Sequence, residues 1–222
     1  MDTAARCTGI ERVYLRDSGE TRALKGVDAE FHAGRLTALM GPSGSGKSSL
    51  LRILSGLDRP TNGTVDVGDV RLSALGRRAR RRFRRERLAH VFQRASDNLI
   101  SYLTVAEHFQ MSAHLRRLDD GDAAQKMLDA LSLDPRRDNL PHQLSGGEQQ
   151  RVAFGQAAIG SPALVVADEP TAELDHVSAE ALLKVMAQIA HLGTAVVVAT
   201  HDPLVASDAD TVIRIEQGEI VS

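Results

Sequence analysis

The run Gly41-Pro42-Ser43-Gly44-Ser45-Gly46-Lys47-Ser48 constrains this chain more than any other feature. It follows a short apolar stretch, Leu36 to Met40, and opens onto a helical stretch, Ser49 to Leu54. Strand, glycine-rich loop and helix in that order turn consecutive backbone N–H groups onto a phosphate, with the positive end of the helix dipole facing the same anion. In such a loop Lys47 reaches the β- and γ-phosphates of a nucleotide as a point charge, and the Ser48 hydroxyl ligates Mg²⁺. Gly41, Pro42, Ser43, Gly44, Ser45, Gly46 and Ser49 complete the expected cradle. The competing reading, a glycine-rich turn with a surface lysine, leaves the flanking strand and helix unexplained.

A second apolar run, Leu164 to Ala167, ends in two adjacent acids, Asp168 and Glu169. Burying two carboxylates in succession is costly unless a cation offsets them, and Mg²⁺ bound to a nucleotide is such a cation. Asp168 is expected on the metal side and Glu169 as the general base that polarises the attacking water.

Further apolar runs at Ala195 to Ala199 and Thr211 to Ile215 alternate with helical periodicity, as in Ala179 to Ile189. The pattern predicts an α/β fold: a P-loop NTPase (RecA-like) core with a mainly parallel sheet. The first 35 residues and Gly63 to Leu72 read as shorter alternating strands, an N-terminal antiparallel β subdomain. From about Leu99 to Ala158 helix-like segments take over, broken at Asp134-Pro135 and Leu140-Pro141, which marks an inserted helical subdomain. At 222 residues with 42% apolar composition the chain suits one domain. Residues 1–93 and 159–222 form the expected core with its β subdomain, and 94–158 the helical subdomain.

A formal net charge of −2 gives no global attraction to nucleic acid or anionic lipid. One cysteine, Cys7, cannot form an internal disulfide, and no charged-then-apolar leader is visible, so the cytoplasm is the expected compartment. The longest apolar runs fall far short of the roughly 18–20 residues that cross a bilayer, so any membrane role is expected through a partner. One local exception is Arg77 to Arg87, with eight arginines. Two readings stand open for it, a solvated helix face or contact with a membrane surface or partner.

Leu144-Ser145-Gly146-Gly147-Glu148-Gln149-Gln150-Arg151 resembles the LSGGQ signature of the ABC ATPase family. Its serine and glycines open a helix and so form a second anion-binding helix terminus, with Ser145, Gly146, Gly147 and Glu148 as nucleotide contacts. The resemblance implies a head-to-tail dimer in which each ATP lies between the P-loop of one subunit and the signature of the other, a homodimer of cassettes being the simpler form. It also implies that Tyr14 stacks on adenine, that Gln93 senses the γ-phosphate and Mg²⁺, that Asp175 belongs to the D-loop, and that His201 holds the γ-phosphate and positions Glu169. Leu72-Ser73-Ala74-Leu75, the run from Arg84 to Gln93, and Ala167 to Thr171 look like the subgroup serving lipoprotein release, macrolide and peptide export and cell division. Members of that kind drive a separate transmembrane permease, so export or force transmission from the cytoplasmic face of the cell membrane is expected. The alternative is a soluble ABC ATPase working on ribosomes or DNA. Three departures stand out: Arg94 to Tyr102 in place of the usual Leu-Leu-Pro pattern, Gln156 where an arginine is usual, and Ala172-Glu173 in place of the common Gly-Asn before the D-loop.

Overall fold

Two sheets with opposite hydrogen-bond patterns organise the chain in the computed structural model, which describes residues 2–16 and 19–221. Strands β1 (Thr3–Arg16), β2 (Gly19–His32), β4 (Asn62–Val67) and β5 (Val70–Arg71) form an antiparallel sheet in the order β2-β1-β4-β5. The second sheet takes β3 (Leu36–Met40), β6 (Leu88–Val91), β7 (Leu164–Asp168), β8 (Ala195–Thr200), β9 (Thr211–Glu216) and β10 (Glu219–Ile220) in the order β10-β9-β3-β8-β7-β6. All its pairings are parallel except β10 with β9. The expected architecture of a mainly parallel core flanked by an antiparallel sheet is therefore present.

Parallel strands covered on both faces read as unbroken apolar runs. Every residue of β8 is at most 1% exposed. Successive side chains point to opposite faces, so Val165, Ala167, Val196 and Val198 enter one core while Leu164, Val166, Ala195, Val197 and Ala199 enter another. Helix α1 (Lys47–Leu54) lies in the second core together with the antiparallel sheet. The first core is closed by α3 (Val105–Leu115), α4 (Asp120–Ala130), α5 (Gly146–Ala158) and α6 (His176–His191). Each fully buried valine here contributes roughly 1.5–3 kcal/mol relative to exposure. Two further helices complete the fold, α2 (Arg77–Arg87) before β6 and α7 (Pro203–Asp208) after β8.

Local chemistry explains the helix starts. Thr104 with Glu107 and Ser145 with Glu148 form reciprocal capping boxes for α3 and α5. Asp175 accepts from Ser178 N at the start of α6, and Asp202 accepts from Leu204 N before Pro203 at the start of α7. Helix α1 begins at Lys47, two residues earlier than the expected Ser49, because the left-handed Gly46 (φ 113°) already turns the loop into its first helical residue. The prolines at 135 and 141 sit in the first two positions of single 3₁₀ turns, as breakers do. Since β3, β6, β7 and β8 are parallel, the segments leaving their C-terminal ends converge on one edge of the sheet.

Candidate nucleotide site

At that edge the loop after β3 faces the acids ending β7, across a cleft of ≈ 810 Å³. Pro42, Ser43, Gly44, Gly46, Lys47, Ser48 and Ser49 line one side, Asp168, Glu169 and His201 the other, with Gln93 and Tyr14 at the margins. Thr21, Ala23 and Ala172 also line it. Two glycines are sterically required. A Cβ on Gly41 would sit 2.1 Å from the Ile215 carbonyl oxygen, and one on Gly46 would sit 2.5 Å from that of Ala23. The loop is thus pressed against β9 and β2, and this fixes where its N–H groups point. Lys47, 7% exposed, donates from Nζ to the carbonyls of Gly41 (2.7 Å) and Pro42 (3.1 Å), so its ammonium lies folded over the loop. Ser45 is buried, with a hydroxyl that has no partner among the described residues.

Asp168 is half-buried, and burial raises its carboxyl above the ordinary range. A hydrogen bond from Ser48 opposes the shift, the Glu169 charge adds to it, and Lys47 opposes it. Glu169 has φ 44°, a left-handed conformation that a non-glycine residue adopts at some cost and that recurs at functional sites. Its backbone is pinned by a hydrogen bond from its N–H to the Ala199 carbonyl (2.8 Å). Its carboxylate meets His201 twice, with Oε1 3.0 Å from Nδ1 and Oε2 accepting from the backbone N–H at 3.4 Å. The segments carrying these two residues are tied again where Thr171 Oγ1 donates to Asp202 Oδ2 (2.9 Å).

Gln93 is exposed at the cleft margin, and its segment is tied to α5. Gln150 Nε2 donates to the Gln93 carbonyl (2.8 Å) and Gln156 Nε2 to the Asn98 carbonyl (2.6 Å). Asn98 closes the loop on itself, accepting from Phe92 N–H (2.8 Å) and donating to the carbonyls of Phe92 and Arg94 (3.0 Å each). Tyr14 keeps its ring under the Arg12 guanidinium (4.4 Å to the centroid) and its hydroxyl 3.3 Å from Ser49 Oγ and from Asp58 Oδ2.

The remaining expected residues lie at a second locus. Ser145 and Gly146 are exposed at the start of α5, while Glu148 spends its carboxylate on Ser145 N–H (2.8 Å) and Arg136 Nε (2.9 Å). Asp175 holds Ser178 through N–H (2.9 Å) and Oγ (2.8 Å), and a Cβ on Gly147 would meet Ser178 Cβ at 2.8 Å. These residues do not line the cleft and form a separate locus at the start of α5 and α6.

The donors fit a nucleotide with a hard cation. Among the described residues no group of three or more His, Cys, Asp or Glu side chains is arranged to hold a metal alone. Ser48 and Asp168, hydrogen-bonded to each other, supply the few oxygen ligands that Mg²⁺ takes when phosphates and waters complete its shell. Thr171, Asp202, Asn98, Gln150 and Gln156 escaped the sequence reading as site residues. Of these, Asp202 alone carries a local signal, an Asp-Pro pair opening a helix.

A family model described as "ABC transporter" matches residues 24–172. The macrolide export ATP-binding/permease protein MacB of Salmonella choleraesuis strain SC-B67 is 38% identical over 224 residues, 100% of this chain and 34% of that protein. MacB of Escherichia coli strain K12 is 38% identical over 215 residues, 96% of this chain and 33% of its own length. The chain thus spans about a third of the length of the curated relatives it matches. Among solved structures, the ATP-binding cassette MJ0796, a dimer in a post-hydrolysis state bound to ADP and Pi, superposes with a TM-score of 0.87 at 31% identity, covering 98% of this chain and 97% of that one. CbiO1 of Clostridium perfringens, part of the ABC transporter complex cbiONQ, gives a TM-score of 0.89 at 26% identity, covering 100% of this chain and 88% of that one.

Proposed function

This chain belongs to the ABC transporter family, and from that premise we propose that it is an ATP-binding and ATP-hydrolysing cassette that drives a membrane-spanning permease. The observation that carries the reading is the Glu169–His201 contact, facing the phosphate loop across the cleft. Phosphoryl transfer asks the protein mainly for positioning and charge neutralisation. The Lys47 ammonium, already beside the loop, moves from the Gly41 and Pro42 carbonyls to the β- and γ-phosphate oxygens. Backbone N–H groups of residues 43–48 cradle the β-phosphate. Glu169 accepts the proton of the attacking water, and His201 holds that carboxylate in place and meets the γ-phosphate. Tyr14 offers its ring to the base at the cleft margin, and Gln93 reports the state of the γ-phosphate to α5. Mg²⁺, which Ser48 and Asp168 would hold with Gln93 nearby, would supply charge neutralisation for phosphoryl transfer.

The second locus, Ser145 and the N–H groups of 146–148 with Asp175 beside it, caps the ATP of an opposing copy, which makes a homodimer of cassettes the working unit. Val177, 74% exposed beside Asp175, lies on the face that such a dimer would cover. Among the described residues no helix is long and apolar enough to cross a membrane. We place the permease outside these 222 residues, with the cassette peripheral at the cytoplasmic face and the coupled work being export or force transmission. MacB, named as an ATP-binding/permease protein, and CbiO1, part of a transporter complex, support this arrangement.

Glu169→Gln tests the assignment. The variant is expected to bind ATP normally, to lose about 10²–10⁴-fold in turnover, and to accumulate as an ATP-bound dimer on size exclusion. Turnover within a factor of a few of wild type would remove Glu169 from the role of base.

A further inference from the structure

Helix α2 takes no part in the cleft, yet it concentrates charge as no other element does. Eight of its eleven residues are arginine, and none of the eleven is buried. At 100° per residue, Arg77, Arg78, Arg81, Arg82 and Arg85 fall within an arc of about 140° and extend over about 12 Å of helix. All five are exposed. The opposite side anchors the helix: Phe83 packs against the core that holds α1, and the Arg84 stem lies over Gly56, 3.1 Å from where a Cβ would stand. The stripe therefore has a fixed direction.

Such a stripe works against itself. Arg77 with Arg81, Arg78 with Arg82, and Arg81 with Arg85 are like-charged pairs at the four-residue spacing, which destabilises a helix. Glu86 is the one acid on the element, and it accepts from Arg82 Nε (3.0 Å) with Arg85 Nη2 at 3.7 Å. The crowding shows in the guanidinium of Arg84, held below its ordinary value by burial and then by Arg80 and Arg81. Arg80 is lowered by burial and then by Arg59. A face whose task is solubility would interleave acids. Beside the stripe a recess of ≈ 350 Å³ is lined by Arg81, Arg84, Arg85, Ser55 and His90, donors suited to a phosphodiester. No aromatic side chain lies on the exposed arc, so base stacking has no platform there.

We infer that the α2 stripe lies against the anionic phospholipid headgroups of the membrane in which the permease sits, with one headgroup phosphate seated in the Arg81–Arg84–Arg85 recess. A basic surface segment gains about a factor of five in membrane affinity for each arginine near the headgroups. The choice of a bilayer rests on the permease reading above. The charge stripe itself does not.

The test is flotation of the 222-residue chain with vesicles of phosphatidylglycerol and phosphatidylcholine, against phosphatidylcholine alone, without nucleotide or permease. Wild type is expected to float with the anionic vesicles only, and to release as ionic strength rises. Arg77→Gln/Arg78→Gln/Arg81→Gln is expected to lose roughly a hundredfold in affinity, three factors of about five. Removing positive charge from the first turns of a helix favours that helix, so α2 persists in this variant. Lys25→Gln/Lys126→Gln/Lys184→Gln, with the same change in net charge, is expected to float as wild type does. ATP turnover in all three proteins is expected to match, which separates failure of this inference from failure of the ATPase reading. Equal flotation of wild type and the arginine variant overturns the inference. So does release by millimolar inorganic phosphate at constant ionic strength, which would assign the recess to a free anion. Binding to a single-stranded oligonucleotide but not to anionic vesicles would overturn it in favour of nucleic acid.

Discussion

At the residue scale, the chemistry of several side chains is decided by where the fold leaves them. His90 ends up in the recess that Arg84 also lines and next to Phe92, its Nδ1 3.2 Å from Ser55 Oγ. Burial, then the charges of Arg52 and Arg84, lowers its pKa from 6.5 to about 4. The unfolded chain therefore binds a proton on His90 that the folded chain refuses between those values, and stability falls as pH drops from 6.5 to about 4. Urea titrations between neutral pH and about pH 4.5 are expected to show His90→Gln losing less stability than wild type, by on the order of 2 kcal/mol. An identical acid slope in both proteins would show that His90 is protonated when folded. Cys7 behaves in a related way: burial, then Asp28 and Asp66, pushes its thiol up to about 12, so it is inert in the native state. Neither shift is written in the local sequence, because burial is the largest cause of each and Arg52, Asp28 and Asp66 lie tens of positions from the groups they act on.

At the element scale, the helices between 105 and 158 would carry a signal from the cleft, as proposed for Gln93, only if they are packed rigidly. Gly155 on α5 lets Phe109 of α3 and Leu131 approach, since a Cβ there would meet them at 2.8 and 2.5 Å. Gly155→Ala is expected to cost about 1–3 kcal/mol of stability by overpacking, measurable by thermal denaturation, with the cleft itself untouched. An unchanged melting temperature would mean that α3 and α5 can slide apart. Strands β3, β7, β8 and β9 and the helix start at Ser145 were legible in the sequence, because apolar runs and a helix-opening serine with glycines are local signals, whereas β6 and the Asp175 cap of α6 were not read from it. The phosphate loop and the two acids at the end of β7 were legible for the same reason. The clamp of Asn98, Gln150 and Gln156 was not. Those residues are ordinary polar types, and their meaning arises only when the segment after β6 folds back onto α5. Gln156, a departure from the family pattern, turns out to hold that segment through the Asn98 carbonyl.

At the scale of the whole molecule, the two loci pose a problem of geometry. The phosphate loop, Asp168, Glu169 and His201 share one cleft, while Ser145, Gly146 and Asp175 lie outside it, exposed. If a single chain were the working unit, the exposed amides opening α5 would have no nucleotide to meet. A head-to-tail pair resolves this, because a two-fold axis places the second locus of each copy over the cleft of the other, and it forms two identical composite sites. Complementation separates the two cases. Lys47→Ala disables the first locus and Ser145→Arg the second, so each variant alone is expected to be inactive. In a one-to-one mixture half of the dimers carry both variants, and each of those has one composite site with two intact halves. The mixture is expected to recover roughly a quarter of wild-type turnover if sites act independently. A mixture as inactive as its components would mean that each chain completes its own site, and the second locus would then need another purpose.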